Sequence, residues 1–233
     1  DGRIALIRNF GWHFFIASQR NKIRARILEA VLKEQETADV IGLGALTKAE
    51  WLTAGGKGVV DQLGDKLKVP VIHGDTLTAA TVIKRILQFN PTLVFITGGT
   101  SKIGRAIALD LVTRGITVKL FTESKKRFTL IQSEAGEFGQ SISMATSLEA
   151  GKDCFLWVTG KADPAGKKLL GYIPNGAVVI NFSVPNPVHE RLFNKRPDVR
   201  FVEGGLIAFD PERSTQTSNL RLWKGETYAC YAG

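Results

Sequence analysis

Paired cysteines, histidine clusters and long apolar runs are all missing from this chain, and each absence removes a class of protein. Cys154 and Cys230 are the only cysteines in 233 residues and lie in unrelated contexts, which argues against a disulfide scaffold and fits a reducing compartment. His13, His73 and His189 are isolated and lack ligand spacing, so no metal site is expected. No apolar run approaches the roughly 20 residues of a membrane-spanning helix. The segment Gly11-Trp12-His13-Phe14-Phe15-Ile16 is too short to span, although its character suits contact with an interface. There is no nucleophile elbow and no P-loop. No basic run is interleaved with aromatics, so nucleic acid is not an expected partner despite the net charge of +9.

What is present suits a folded α/β protein. At 44% hydrophobic and 23% charged, the chain has material for a core, and its 24 glycines are spread among short apolar runs as turns would be. The positive charge suits an anionic partner: a phosphorylated cofactor, an acidic carrier protein or an anionic membrane surface. The chain opens at Asp1 without an initiator methionine and stops at Gly233, shortly after a helix is expected to begin. The expectation is therefore a part of a longer protein.

Ile23, Ile27, Leu28, Val31 and Leu32 recur at helical spacing and predict an amphipathic helix over 19–35. Short strands are expected over 39–44 and 69–74, with a turn of helix over 49–52 between them. Asp75 or Thr76 is placed to cap a helix running to Phe89. Asn90-Pro91 sets the expected boundary between a small α/β unit over 1–90, the expected substrate side, and a larger domain over 91–233. In the larger domain the alternation is regular, with strands over 93–97, 117–121, 141–145, 153–159, 177–182 and 199–203. Helices are expected over 103–114, 126–134 and around 167–170. All-apolar strands of this kind are buried on both faces, which predicts a doubly wound, mostly parallel Rossmann sheet preceded by the smaller unit.

The first strand of that sheet runs into Thr97-Gly98-Gly99-Thr100-Ser101-Lys102-Ile103-Gly104. A strand, a glycine turn and a helix N-terminus present backbone N–H groups and the positive end of a dipole, so pyrophosphate is the expected guest. Gly98 and Gly99 permit the turn, Thr100 and Ser101 add hydroxyls, Lys102 adds a cation, Ile103 starts the helix, and Gly104 allows close packing. After the second strand, Glu123 favours a ribose 2′-hydroxyl and NAD(H). Ser124, Lys125 and Arg127 favour a 2′-phosphate, and the surplus of cations makes NADP(H) the expected cofactor, with NAD(H) left open. Thr159 and Ser183, at the exits of two later strands, are expected beside the nicotinamide. Cys230 lies where a C-terminal helix is expected to start, which would lower its pKa and make it a candidate nucleophile toward an acyl thioester; a core role is the other reading. Cys154, inside an apolar strand, reads as structural.

The glycine loop resembles the short-chain dehydrogenase pattern, with Lys102 in place of its middle glycine. Tyr172, Tyr228 and Tyr231 all lack a lysine at the fourth place, so the Tyr-x-x-x-Lys chemistry of that family is not expected. Ile41-Gly42-Leu43-Gly44-Ala45-Leu46-Thr47-Lys48, Val71-Ile72-His73-Gly74-Asp75-Thr76-Leu77-Thr78-Ala79-Ala80 and Thr100-Ser101-Lys102-Ile103-Gly104 look like the C-terminal domain of the eceriferum-type plant wax and alkane-forming proteins. That resemblance runs from about Phe10 through the second strand of the larger domain, and more loosely to the end. It implies a domain that accompanies an N-terminal membrane module whose histidine clusters hold a di-iron site.

The chain is also similar to cyanobacterial long-chain acyl-ACP reductases at residues 44–47, residues 98–104, Pro185, Glu203-Gly204-Gly205 and Ala229-Cys230-Tyr231-Ala232. This second resemblance implies NADPH-dependent reduction of a fatty acyl thioester, on acyl carrier protein or CoA, to an aldehyde through a thioester on Cys230. Glu123 departs from it, since those reductases tend to have a basic residue there. Acyl reduction in wax or hydrocarbon synthesis is the leading expectation. The alternative is an accessory nucleotide-binding domain, without catalysis of its own, that partners a di-iron oxygenase module. The expected setting is the cytoplasm, or the cytosolic face of a membrane with peripheral contact.

Overall fold

Ile23, Ile27 and Val31, four residues apart, form one buried stripe of α1 (Arg20–Glu34). The computed structural model describes residues 5–160, 166–183, 190–208 and 226–229. These divide into two units, one ending at Gly74 and the other beginning at Asp75. In the first, the α1 stripe shares a core with Leu43 of β1 (Ile41–Leu43), Leu52 of α2 (Glu50–Thr53) and Val59 of α3 (Lys57–Leu63). β1 pairs in parallel with β2 (Val71–His73). The buried amide of Gln35 is engaged at both ends: Nε2 donates to Lys66 O at 2.9 Å and Oε1 accepts from Lys68 N at 2.9 Å.

The boundary expected at Asn90-Pro91 is displaced by the helix before it. α4 (Asp75–Leu87) buries Ala79, Val82, Ile83 and Ile86 in one core with Val94 of β3 (Leu93–Thr97) and Ile107 of α5 (Lys102–Thr113). Its apolar face needs the larger sheet to cover it, so it belongs to the second unit.

That unit continues with β4 (Thr117–Phe121), α6 (Lys125–Glu134), β5 (Ile142–Ala145), β6 (Leu156–Thr159), α7 (Gly166–Tyr172), β7 (Val178–Asn181) and β8 (Arg200–Glu203). Its six strands pair in parallel in the order β5-β4-β3-β6-β7-β8. Numbered by appearance within the sheet this is the 3-2-1-4-5-6 order of a Rossmann fold, as the alternation predicted. Side chains alternate between two cores. Val94, Ile96, Val118, Leu120, Val158 and Ile180 pack with α4 and α5, whereas Phe95, Trp157 and Val179 pack with Leu169 and Leu170 of α7. The Phe95 and Trp157 rings lie 4.4 Å apart, and Trp157 Nε1 donates to the carbonyls of Gly151 and Cys154, each at 3.1 Å. Burial, with Asp153 alongside, pushes the Cys154 thiol up to about 12, which suits a structural, unreactive residue.

β8 turns into β9 (Leu206–Ala208), which pairs antiparallel with β10 (Glu226–Tyr228). A helix is expected to begin at the segment that holds Cys230. Residues 226–228 complete a ladder with β9, and helical backbone begins at Ala229, the last described residue, next to Cys230. Cys230 lies outside the described residues. Among the described residues no helix is long and apolar enough to cross a membrane.

Candidate functional site

β3 and β6 are neighbours in the sheet, yet their following connections leave in opposite directions, toward β4 on one side and β7 on the other. A crevice opens at the carboxyl ends of such strands, where open α/β sheets bind ligands. Here a cavity of about 310 Å³ occupies that position, lined by Asp75, Ser101, Lys102, Ile103, Gly160, Phe182 and Ser183.

The wall after β3 is built by glycine. Gly98 has φ +69°, a left-handed turn that other residues adopt only under strain. A Cβ on Gly104 would lie 2.5 Å from Gly98 O and 2.7 Å from Gly99 Cα, so α5 can start this close to the turn only without a side chain there. Ser101 caps the helix, its Oγ accepting from Gly104 N at 3.1 Å, which leaves its hydroxyl proton available to donate. The wall after β6 is equally tight: a Cβ on Gly160 would fall 1.8 Å from the tip of the Phe182 ring, which therefore packs directly against the chain at the strand exit.

Below the crevice the register aligns four polar strand ends, Thr97, Thr159, Asn181 and Glu203. Thr159 Oγ1 donates to Asn181 Oδ1 at 3.3 Å. Asn181 Nδ2 donates to Glu203 Oε2 and to Ser183 O, both at 2.9 Å, and its Oδ1 also accepts from Ser183 N at 3.1 Å. Asn181 thus holds both backbone polar groups of Ser183, a residue that lines the cavity. Burial pushes the Glu203 carboxyl above its ordinary value, against the opposing hydrogen bonds from Asn181 and Gly205 N. At the next turn Ala229 N donates to Gly205 O at 2.7 Å.

The expected cofactor residues therefore divide. Ser101, Lys102, Ile103 and Ser183 meet at one cavity, and Thr97, Gly98, Gly99, Thr100 and Gly104 belong to the strand end, turn and helix start that form its wall. Ser124 and Lys125 stand off the cavity at the exit of β4, where Ser124 caps α6 by accepting from Arg127 N at 3.4 Å. Thr159 is a correction. Its side chain is fully buried and its hydroxyl is bonded to Asn181, because the strand-end row turns it inward. Asp75 and Gly160 as cavity residues, and Glu203 as support, were not foreseen. The available signal was polar residues ending otherwise apolar strands.

Residues 94–198 match a protein family described as CER1-like, C-terminal domain. The chain is similar to the very-long-chain aldehyde decarbonylase GL1-1 of Oryza sativa subsp. indica, 34% identical over 97% of this chain and 36% of that one. It is also similar to Protein CER1-like 1 of Arabidopsis thaliana, 27% identical over 52% of this chain and 19% of that one. The chain thus spans about a third of the length of the decarbonylase relatives that match nearly all of it. Among solved structures, a dipicolinate synthase subunit from Bacillus halodurans overlaps it with a TM-score of 0.48 at 13% identity, covering 77% of this chain and 61% of that one. A quinone oxidoreductase of Pseudomonas syringae gives 0.41 at 12% identity, covering 54% and 43%.

Proposed function

Since residues 94–198 belong to the CER1-like C-terminal domain family, we propose that this chain is the nucleotide-binding module of a wax- or hydrocarbon-forming, aldehyde-processing protein, accessory to an oxygenase module. NADP(H) is its proposed ligand. The observation that carries the reading is the cavity at the switch between β3 and β6, walled by a glycine turn that only side-chain-free residues can form.

The residues fit the cofactor. The approach of α5 to the turn brings Ser101 and the helix start to the cavity, where an anionic pyrophosphate meets the positive end of the dipole. Lys102 lines the same space. Phe182 and Ser183, the latter held through Asn181, supply an apolar and a polar edge for a planar ring. Ser124 and Lys125, at the neighbouring strand exit, suit a ribose 2′-phosphate. Bound there, a reduced nicotinamide supplies hydride.

Fluorescence titration with NADPH and NADH tests the proposal. The chain should bind NADPH in preference to NADH, and Gly104→Ala should weaken binding by at least about tenfold, the equivalent of about 1.4 kcal/mol. Failure of the wild-type chain to bind either nucleotide would overturn it.

A second reading is favoured by the hydrogen bond from Ala229 N to Gly205 O, which ties the residue before Cys230 to the turn after Glu203. In it the Cys230 thiolate attacks the carbonyl of a fatty acyl thioester and expels the carrier thiol. Hydride transfer to the new thioester then releases aldehyde and regenerates the thiolate. Incubation with labelled acyl-CoA should leave a thioester that Cys230→Ala abolishes. An unlabelled, NADPH-binding wild type would leave the accessory reading alone.

A further inference from the structure

The apolar side chains near the start of the chain separate into two sets. Phe14, in the short helix Gly11–Phe15, is buried with Ile23 and Ile27. Its neighbours face outward: Leu6 is 81%, Phe10 71%, Trp12 59% and Phe15 63% exposed. An outer set in contact only with water would be polar, and this one is largely aromatic. The Phe15 ring lies 5.7 Å from that of Trp51, so a second element extends the patch. Contiguous exposed aromatic surface of this kind marks a place of interaction.

Charge identifies the partner. From Gly2 to Leu28 there is no acidic residue, while Arg8, Arg20, Lys22, Arg24 and Arg26 all fall in that stretch. Contacts bring the cations beside the rings. The Arg20 guanidinium carbon lies 4.9 Å from the centroid of Trp51, and Arg24 Nε donates to Leu52 O at 2.8 Å. Arg26 Nη1 donates to Asn9 Oδ1 at 2.7 Å and to Arg8 O at 3.3 Å, next to Phe10 in the chain. Every one of these partners is neutral. Among the described residues none of the five cations is in an ion pair, and the buried Nε of Arg20 has no acceptor. Their charge is therefore not cancelled by an ion pair among the described residues. A protein partner of ordinary composition offers both signs of charge, whereas an anionic bilayer offers one, with an apolar layer beneath it that accepts Trp and Phe.

We propose that the aromatic and basic surface formed by residues 6–26 and Trp51 docks the chain on an anionic phospholipid bilayer. The contact is peripheral: rings enter the headgroup boundary while the arginines and Lys22 remain among the phosphates. It is independent of nucleotide binding at the crevice.

Co-sedimentation of the 233-residue chain with vesicles provides the test. Phosphatidylcholine vesicles containing phosphatidylserine should retain the chain at least about tenfold more strongly than phosphatidylcholine alone. The difference should collapse in about 0.5 M salt, where the screening length falls to roughly 4 Å. The variants Trp12→Ala with Phe15→Ala, and Arg8→Gln with Lys22→Gln, change exposed side chains and should each weaken retention about tenfold while leaving the NADPH titration unchanged. Should a variant lose its fold, quenching of wild-type tryptophan fluorescence by brominated lipid decides the matter. Quenching on phosphatidylserine vesicles supports the proposal, and none overturns it. A wild type that stays in the supernatant, that binds both vesicles equally, or that binds no better than its folded variants also overturns it, and the first result assigns the patch to a protein partner.

Discussion

A methyl group at Gly104 would sit within 2.7 Å of two backbone atoms of the glycine turn, and neither is the end of a flexible side chain. The cost cannot be relieved by a rotamer change, so the turn itself must move away from α5. Cys154 shows the complementary case, in which a reactive group is silenced by its surroundings. With its thiol pushed up to about 12, the thiolate fraction at pH 8 is about one in ten thousand. In a Cys230→Ser variant, labelling with an aromatic disulfide reagent at pH 8 should therefore detect no fast thiol until denaturant is added. Rapid labelling of the folded variant would show that Cys154 is not sealed in the core. Thr159 carries the lesson in reverse. A threonine ending an apolar strand reads as a ligand contact, but which neighbour its hydroxyl meets depends on the adjacent strand.

At the scale of elements, the strand-end row links β6, β7 and β8 through Asn181. Glu203 is the titrating member, and burial raises its folded-state value above that of the unfolded chain. Below the unfolded value the carboxyl is neutral in both states and its contribution to stability is fully present; it is lost as pH rises through the folded value. A glutamine in its place would keep an oxygen for Asn181 Nδ2 without a charge to bury. Glu203→Gln should accordingly match the wild type in thermal denaturation near pH 4 and exceed it at pH 7. A variant less stable than the wild type at pH 7 would mean that the carboxylate is needed by a cation rather than tolerated. α4 argues a related point about elements. Its sequence pattern announced a helix, and only its partner, the sheet core around Val94 and Ile107, assigned it to the second unit.

For the whole molecule, two units with separate cores predict a localised response to ligand. Amide hydrogen exchange with saturating NADPH should slow in residues 98–104 and at the ends of β6 and β7, and should leave α1 unchanged. Equal slowing in both units, or in neither, would remove the crevice as the binding place. Helix and strand periods, the glycine turn and the family resemblance are properties of contiguous residues. They follow from side-chain alternation and local sterics, and so the amino-acid sequence alone determined the Rossmann class, the loop over 97–104 and the amphipathic α1. Tertiary structure alone decided what surrounds that loop. Asp75, Gly160, Phe182 and Ser183 meet Ser101 at one cavity, and Thr159 turns away from it toward Asn181, because parallel strands far apart in the chain pair in a crossed order. That order is set by burial of two sheet faces at once, a long-range energy that no local pattern records.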